Sequence, residues 1–262
     1  MIRTGLCSVT LRALAIDAVV QVTADAGLDR IEWGGDVHVP PGDLAAAAAA
    51  RDATVGAGLR VASYGSYYRA GRDDSADFAA VLASARALAA PRIRIWAGET
   101  GSAEATSRER ATVALAARDA VDQAATHGID VAFEFHGGTL TDEAGSALQL
   151  LEAVEQGRPG TRRPLTYWQP PQDVPDEDAL AGLRRLLGRV TAVHVFSWWP
   201  ASTRLPLADR APMWRTAFQW LAPARAPVDA LLEFVPEDDP TLVAEEARTL
   251  KELTQEASRV QA

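Results

Sequence analysis

The chain has one cysteine, Cys7, among 262 residues. No internal disulfide can form, and nothing ties the protein to an oxidising compartment. Positive charge is also scarce: 26 Lys and Arg face 35 Asp and Glu, a formal charge of −9. The basic residues, nearly all arginine, are scattered, which argues against a partner built of phosphates, because neutralising nucleic acid takes clustered Lys and Arg. There is no run of about 20 apolar residues to span a bilayer. The opening segment MIRTGLCSVTLRALAIDAVV has no clean apolar core before a small-residue cleavage site, and Asp17 interrupts its apolar run. Also missing are a long low-complexity tract and a Pro/Ser/Gly linker that would separate domains. The expectation is a cytoplasmic protein with no nucleic-acid and no membrane partner.

What is present is alternation. Short β-branched or aromatic runs at 2–8, 28–33, 59–65, 92–97, 129–135, 164–169, 190–196 and 229–234 read as strands. Between them, Ala/Leu-rich segments at 13–26, 43–57, 75–89, 104–126, 142–155, 176–187, 211–222 and 240–257 read as helices. Gly27, Gly58 and Gly128 stand where a helix should stop and a strand follow. Thr141-Asp142-Glu143 and Asp238-Asp239-Pro240 put cap formers and acids where a helix should begin. Eight such pairs in a chain close to the roughly 250 residues of a (β/α)8 barrel predict a single (β/α)8 TIM barrel domain over 1–262, with an open doubly wound sheet as the alternative.

In such barrels the reactive residues come from the C-terminal strand ends and the loops after them. Five of seven tryptophans (Trp33, Trp96, Trp168, Trp198, Trp199), all four tyrosines (Tyr64, Tyr67, Tyr68, Tyr167) and three of four histidines (His38, His136, His194) fall at or just past those ends, which points to one functional mouth. Gly34-Gly35, Gly65, Gly98 and Gly137-Gly138 follow the same ends, where a missing side chain lets a ligand approach the backbone. Trp33, Trp96 and Trp198 would offer flat faces to a sugar; Tyr64, His38, His136 and Arg204 join them as expected substrate contacts. His127, before Gly128, reads as part of a helix cap. Glu32 reads as structural, near a helix end or paired with Arg30, with a substrate contact as the alternative.

Four late strands each end on a metal-capable side chain: Glu134 in VAFEFHGG, Gln169 in PLTYWQPP, His194 in AVHVFSWWP and Glu233 in ALLEFVPEDD. Two carboxylates, an imidazole and an amide carbonyl suit one divalent ion, Mn, Mg, Co or Zn, and the two carboxylates would leave it neutral with positions open to substrate oxygens. Such an ion stabilises the oxyanion that develops when the adjacent carbon loses its proton, and Glu134 and Glu233 are the natural acid and base. The bland reading of either glutamate is a polar residue satisfied by a barrel arginine; that of His194 is a hydrogen-bonded core histidine.

From GLCSVTLRAL through DRIEWGGDVH, RVASYGSY, RIRIWAG and AFEFHGGTLTD to LLEFVPEDDP, the chain resembles the xylose isomerase-like barrel superfamily, in particular sugar phosphate isomerases/epimerases and ketose 3-epimerases. The resemblance implies metal held by a Glu, an Asp, a His and a Glu from successive late strands, with Glu134, His194 and Glu233 matching the first, third and fourth. At the second position this chain departs: where the family reads Asp-x-x-His, it has Gln169-Pro170-Pro171-Gln172. The expected activity is a metal-dependent isomerase or epimerase with a small carbohydrate as its partner. The alternatives are a dehydratase of a cyclitol ketone or dehydroshikimate-like substrate, and a carbohydrate-binding barrel with a degraded metal site. A DNA-repair endonuclease would need several zinc ions and a basic face that this composition does not supply. Phosphorylation of the substrate and homo-oligomer formation are left open.

Overall fold

The computed structural model describes residues 1–157 and 162–259. Among them, eight parallel strands close into a barrel: β1 (Ile2–Cys7), β2 (Arg30–Gly34), β3 (Arg60–Arg69), β4 (Arg92–Trp96), β5 (Asp130–Phe133), β6 (Leu165–Trp168), β7 (Val190–Val195) and β10 (Val228–Leu232), the last pairing with β1. The helices are α1 (Ile16–Asp25), α2 (Leu44–Gly56), α3 (Ser75–Ala87), α4 (Ser107–Ala125), α5 (Ala144–Glu155), α6 (Asp176–Leu186), α7 (Ala211–Leu221) and α8 (Val243–Arg259). An antiparallel pair, β8 (Ser197–Trp198) with β9 (Arg204–Leu205), stands in the loop after β7. The (β/α)8 expectation holds and the open sheet is excluded, because β1 and β10 are hydrogen-bonded neighbours. No helix among the described residues is long and apolar enough to cross a membrane.

Boundaries follow local chemistry. Gly27, Gly58 and Gly128 take φ of +65°, +76° and +73°, the left-handed turn that ends a helix and starts the next strand. Helix α4 begins at 107 rather than 104 because Thr106 and Glu109 form a reciprocal capping box. Helix α8 begins at 243 rather than 240, because Asp239 caps a single 3-10 turn over Pro240–Leu242.

Period-2 alternation sorts each strand into two faces. In β4, Ile93 and Ile95 point outward and are sealed under the helices, whereas Arg92 and Arg94 point into the barrel. The interior therefore has two charged tiers with small or apolar side chains between them, including Ala62, Ala132, Ala192, Leu231 and Tyr167. In the lower tier Asp229 is held by Arg3 (2.7 Å), Arg30 (3.2 Å) and Arg92 (2.7 Å). Gly5 makes room for it: a Cβ there would stand 2.6 Å from the Arg30 side chain.

The same alternation overturns two expected substrate contacts, and packing against Trp33 removes a third. Trp33 follows the inward Glu32 and so faces the helices, fully buried, with its indole N–H donating to Thr54 Oγ1 at 3.1 Å. Tyr64 is likewise fully buried, its hydroxyl donating to the Val39 carbonyl at 2.7 Å. His38 lies edge-on against Trp33, with Nε2 at 3.0 Å from the Leu14 carbonyl oxygen. All three shape the wall behind β2 and β3. Thr54→Val leaves the buried indole N–H unpaired; urea unfolding is expected to show a loss of about 1–3 kcal/mol. Ligand affinity should be unchanged, and a shift in affinity without a loss of stability would contradict the placement.

Candidate metal and substrate site

The upper tier is built at the C-terminal strand ends. Cys7, Glu32, Ser63, Arg94 and His194 project inward from within their strands. Glu134, Gln169 and Glu233 are each the first residue past β5, β6 and β10. The backbone ladder continues through two of them, Glu134 N–H to Ile95 O (2.9 Å) and Glu233 N–H to Val195 O (3.1 Å), which fixes where their side chains point.

The centre of the tier is the fully buried imidazole of His194. Its Nδ1 lies 3.0 Å from Gln169 Oε1, 3.3 Å from Glu233 Oε2 and 3.6 Å from Glu134 Oε1. Nε2 faces the other way, 3.2 Å from Glu32 Oε1. All four expected metal-site residues are thus brought together, from four different strands.

Sequence reasoning missed the cation among them. Arg94 pairs with Glu134 Oε2 at 2.6 Å, and its Nε lies 3.6 Å from Glu32 Oε1, within ion-pair range but too long for a hydrogen bond. Trp96 Nε1 donates to the same Glu134 oxygen. Gly65 leaves the space: a Cβ there would sit 2.9 Å from Glu32 Oε1 and 3.1 Å from Arg94 Nη2. Glu32 is held by ion pairs, but not with the expected Arg30. It pairs with Arg94 and His194 and accepts from Ser63 Oγ at 2.7 Å, whereas Arg30 is used in the lower tier.

Burial opposes ionisation of Glu134, but Arg94 and the His194 ring overcome it and hold the carboxyl down at about 2. Glu32 is held low by the same two partners against the same burial. Burial pushes the Cys7 thiol up to about 12, so it is a neutral donor, 3.9 Å from Glu32 Oε1. For His194, burial favours the neutral ring, yet Glu233 and Glu32 raise its pKa well above the ordinary 6.5.

These residues fit a divalent ion. Donors bound at about 2.1 Å to one ion stand about 3.0–3.4 Å apart, close to the spacings around Nδ1. Charge agrees too. Glu32, Glu134 and Glu233 against Arg94 leave an excess of two negative charges when the ring is neutral. The donors are oxygen and nitrogen; the neutral Cys7 thiol stands 3.9 Å from Glu32 Oε1 and within 4.8 Å of donor atoms of His194 and Glu233.

Above the tier opens a cavity of about 740 Å³, lined by Arg94, Trp96, Glu134, His136, Gln169, Trp198 and Glu233, and by Arg12, Tyr67, Asp142, Gln172 and Asp173 further out. Trp96 and His136 stack with centroids 4.6 Å apart, as one wall. Trp198, on the hairpin, is opposed by Phe234 at 5.3 Å, and its Nε1 is buried with no partner on the protein. Arg204 is not in the lining. It pairs with Asp238 and lies over the Phe234 ring at 4.5 Å, so it braces the rim.

No protein-family model and no curated protein sequence matches the chain. Solved structures do. A probable 3-DHS dehydratase involved in petrobactin synthesis from Bacillus anthracis aligns at 17% identity and TM-score 0.72, over 96% of this chain and 99% of that one. An L-ribulose 3-epimerase aligns at 17% identity and TM-score 0.71, over 100% and 97%. A xylose isomerase-like TIM barrel protein from Mycobacterium smegmatis in complex with magnesium aligns at 14% identity and TM-score 0.68, over 100% and 97%. The fold is that of the xylose isomerase-like TIM barrels.

Because Glu134 has its pKa depressed from the ordinary 4.5 to about 2, its ionised form stabilises the fold above pH 4.5, and that contribution is lost as pH falls towards 2. Urea unfolding of chelator-treated protein between about pH 5 and pH 2 should show the wild type losing stability more steeply than Glu134→Gln. Parallel curves would refute the ion pair.

Proposed function

We propose that the chain is a divalent-metal-dependent isomerase or epimerase of a small, unphosphorylated sugar or related polyol carbonyl compound. The observation that carries this reading is the convergence of Glu134, Gln169 and Glu233, which line one cavity, on the buried imidazole of His194 just beneath them. An epimerase and a magnesium complex among proteins of the same fold support it.

The four residues would hold the ion, Mn, Mg, Co or Zn by donor type, and the ion would polarise the substrate oxygen beside the carbon that loses its proton. The two glutamates are not equivalent. Glu134 is pinned by Arg94 and Trp96, which fixes its orientation and weakens it as a base. Glu233 has no guanidinium within ion-pair distance among the described residues and lines the cavity, so it is the better group to take and return the proton. Trp96 and Trp198 form apolar walls for a sugar ring or chain.

The lining argues against a phosphate on the substrate. Arg12 is paired with Asp36 at 2.6 Å and Arg94 with Glu134, while Glu233, Asp142 and Asp173 add further carboxylates to the wall. A phosphate dianion would meet more carboxylates than guanidiniums, and both guanidiniums are already engaged.

Dehydration after the same first proton transfer is the second reading, supported by the dehydratase of the same fold. Incubation of the Mn²⁺-loaded protein with ketoses in deuterated water tests both. An epimerase incorporates label next to the carbonyl and returns a sugar, whereas a dehydratase yields an unsaturated product. Glu233→Gln is expected to lower exchange by about 10²–10⁴-fold. If no stoichiometric metal binds and Glu134→Gln changes neither turnover nor ligand affinity, the protein is a carbohydrate-binding barrel instead.

A further inference from the structure

We propose that Glu32 is a positioning residue that keeps the proton of the His194 imidazole on Nε2, leaving Nδ1 as the coordinating nitrogen. This rests on the metal reading above and goes beyond it, because Glu32 lies on β2, outside the four donor positions, and does not line the cavity.

A neutral imidazole carries one N–H, and the hydrogen bond made by one nitrogen decides what the other can do. At Nε2 the near oxygen is Glu32 Oε1, 3.2 Å away. Carboxylates flank both nitrogens and only accept, so the selection needs the ion: with Glu233 and Glu134 engaged by it on the Nδ1 side, Glu32 would keep the one N–H on Nε2. Nδ1 then offers its lone pair towards Gln169, Glu233 and Glu134.

Glu32 cannot easily turn away. It is 2% exposed, its Oε2 accepts from Ser63 Oγ at 2.7 Å, and Oε1 is flanked by Arg94 Nε at 3.6 Å and the Cys7 thiol at 3.9 Å. The ring is steadied by Tyr167, edge-on with centroids 5.0 Å apart. Every group needed to hold one tautomer is on strands rather than loops, and none of them is needed to touch substrate.

Mn²⁺ titration by calorimetry of chelator-stripped wild type, Glu32→Leu, Glu32→Gln and Ser63→Ala tests the role. Glu32→Leu should bind about 10–100-fold more weakly. Glu32→Gln, whose amide oxygen can still accept from Nε2, should lose less, and Ser63→Ala, which only loosens Glu32, less still. Should Glu32→Leu fail to fold by circular dichroism, the other two variants carry the comparison. In Zn²⁺-loaded protein with ¹⁵N-histidine, wild type should show an Nε2–H protected from exchange and a metal-shifted Nδ1, and Glu32→Gln should exchange faster. Wild-type metal binding with Glu32→Gln and Ser63→Ala within twofold of it overturns the positioning role alone. A wild type that binds no metal overturns the metal reading and this role with it.

Discussion

The rest of the structure depends on how charge is buried along the barrel axis. Branched apolar side chains usually fill the interior of such barrels. Here small residues at Gly5, Ala62, Ala132 and Ala192 leave room for two tiers of ionised groups. The lower tier has three guanidiniums around Asp229, an excess of two positive charges, and Arg3 reaches solvent with 31% of its side chain exposed. The upper tier has the opposite excess and meets almost no solvent: Glu32, Arg94, Glu134 and His194 are all under 4% exposed and Glu233 is 6% exposed. Uncompensated charge in such a place costs several kcal/mol per ion. Something positive therefore has to enter from the cavity side, either a proton on His194 or a cation among its neighbours, and the high pKa of that imidazole expresses the same demand.

The fold was legible because each level of the sequence agreed. Strand and helix periods alternate, and Gly27, Gly58 and Gly128 mark the turns with the φ that only such positions require. The convergence of Glu134, Gln169, His194 and Glu233 was legible too, since a charge or imidazole at the inward end of an apolar strand is costly unless used. What was not legible came from counting distance to a strand's end without its parity. Trp33 and Tyr64 are as close to the mouth in sequence as the functional residues, yet they stand on the outward face. Parity would also have found the omissions. In RIRIW the isoleucines claim the helix side and leave Arg92 and Arg94 inside; in RIEW, Ile31 does the same for Arg30 and Glu32. Which carboxylate each arginine takes depends on strand register and barrel closure, which only the three-dimensional arrangement contains.

Gln169 is where these two lines meet. Against the family pattern it looks like a loss, since an amide replaces a carboxylate among the donors. Within this barrel the count changes, because Glu32 and Arg94 are members of the same buried tier. An aspartate at 169 would raise the excess to three negative charges, one more than a divalent ion neutralises. An amide supplies an oxygen 3.0 Å from Nδ1 without adding charge. It also gives an adaptable group, since the two ends of an amide can exchange places by a flip of the side chain. With the oxygen forward it would join the donors of a bound ion; with the NH₂ forward it would donate to an unprotonated Nδ1 of His194. An amide at 169 therefore matches the charge that the β2 and β4 residues already contribute, and it ties the late strands to Glu32 and Arg94 on the early ones.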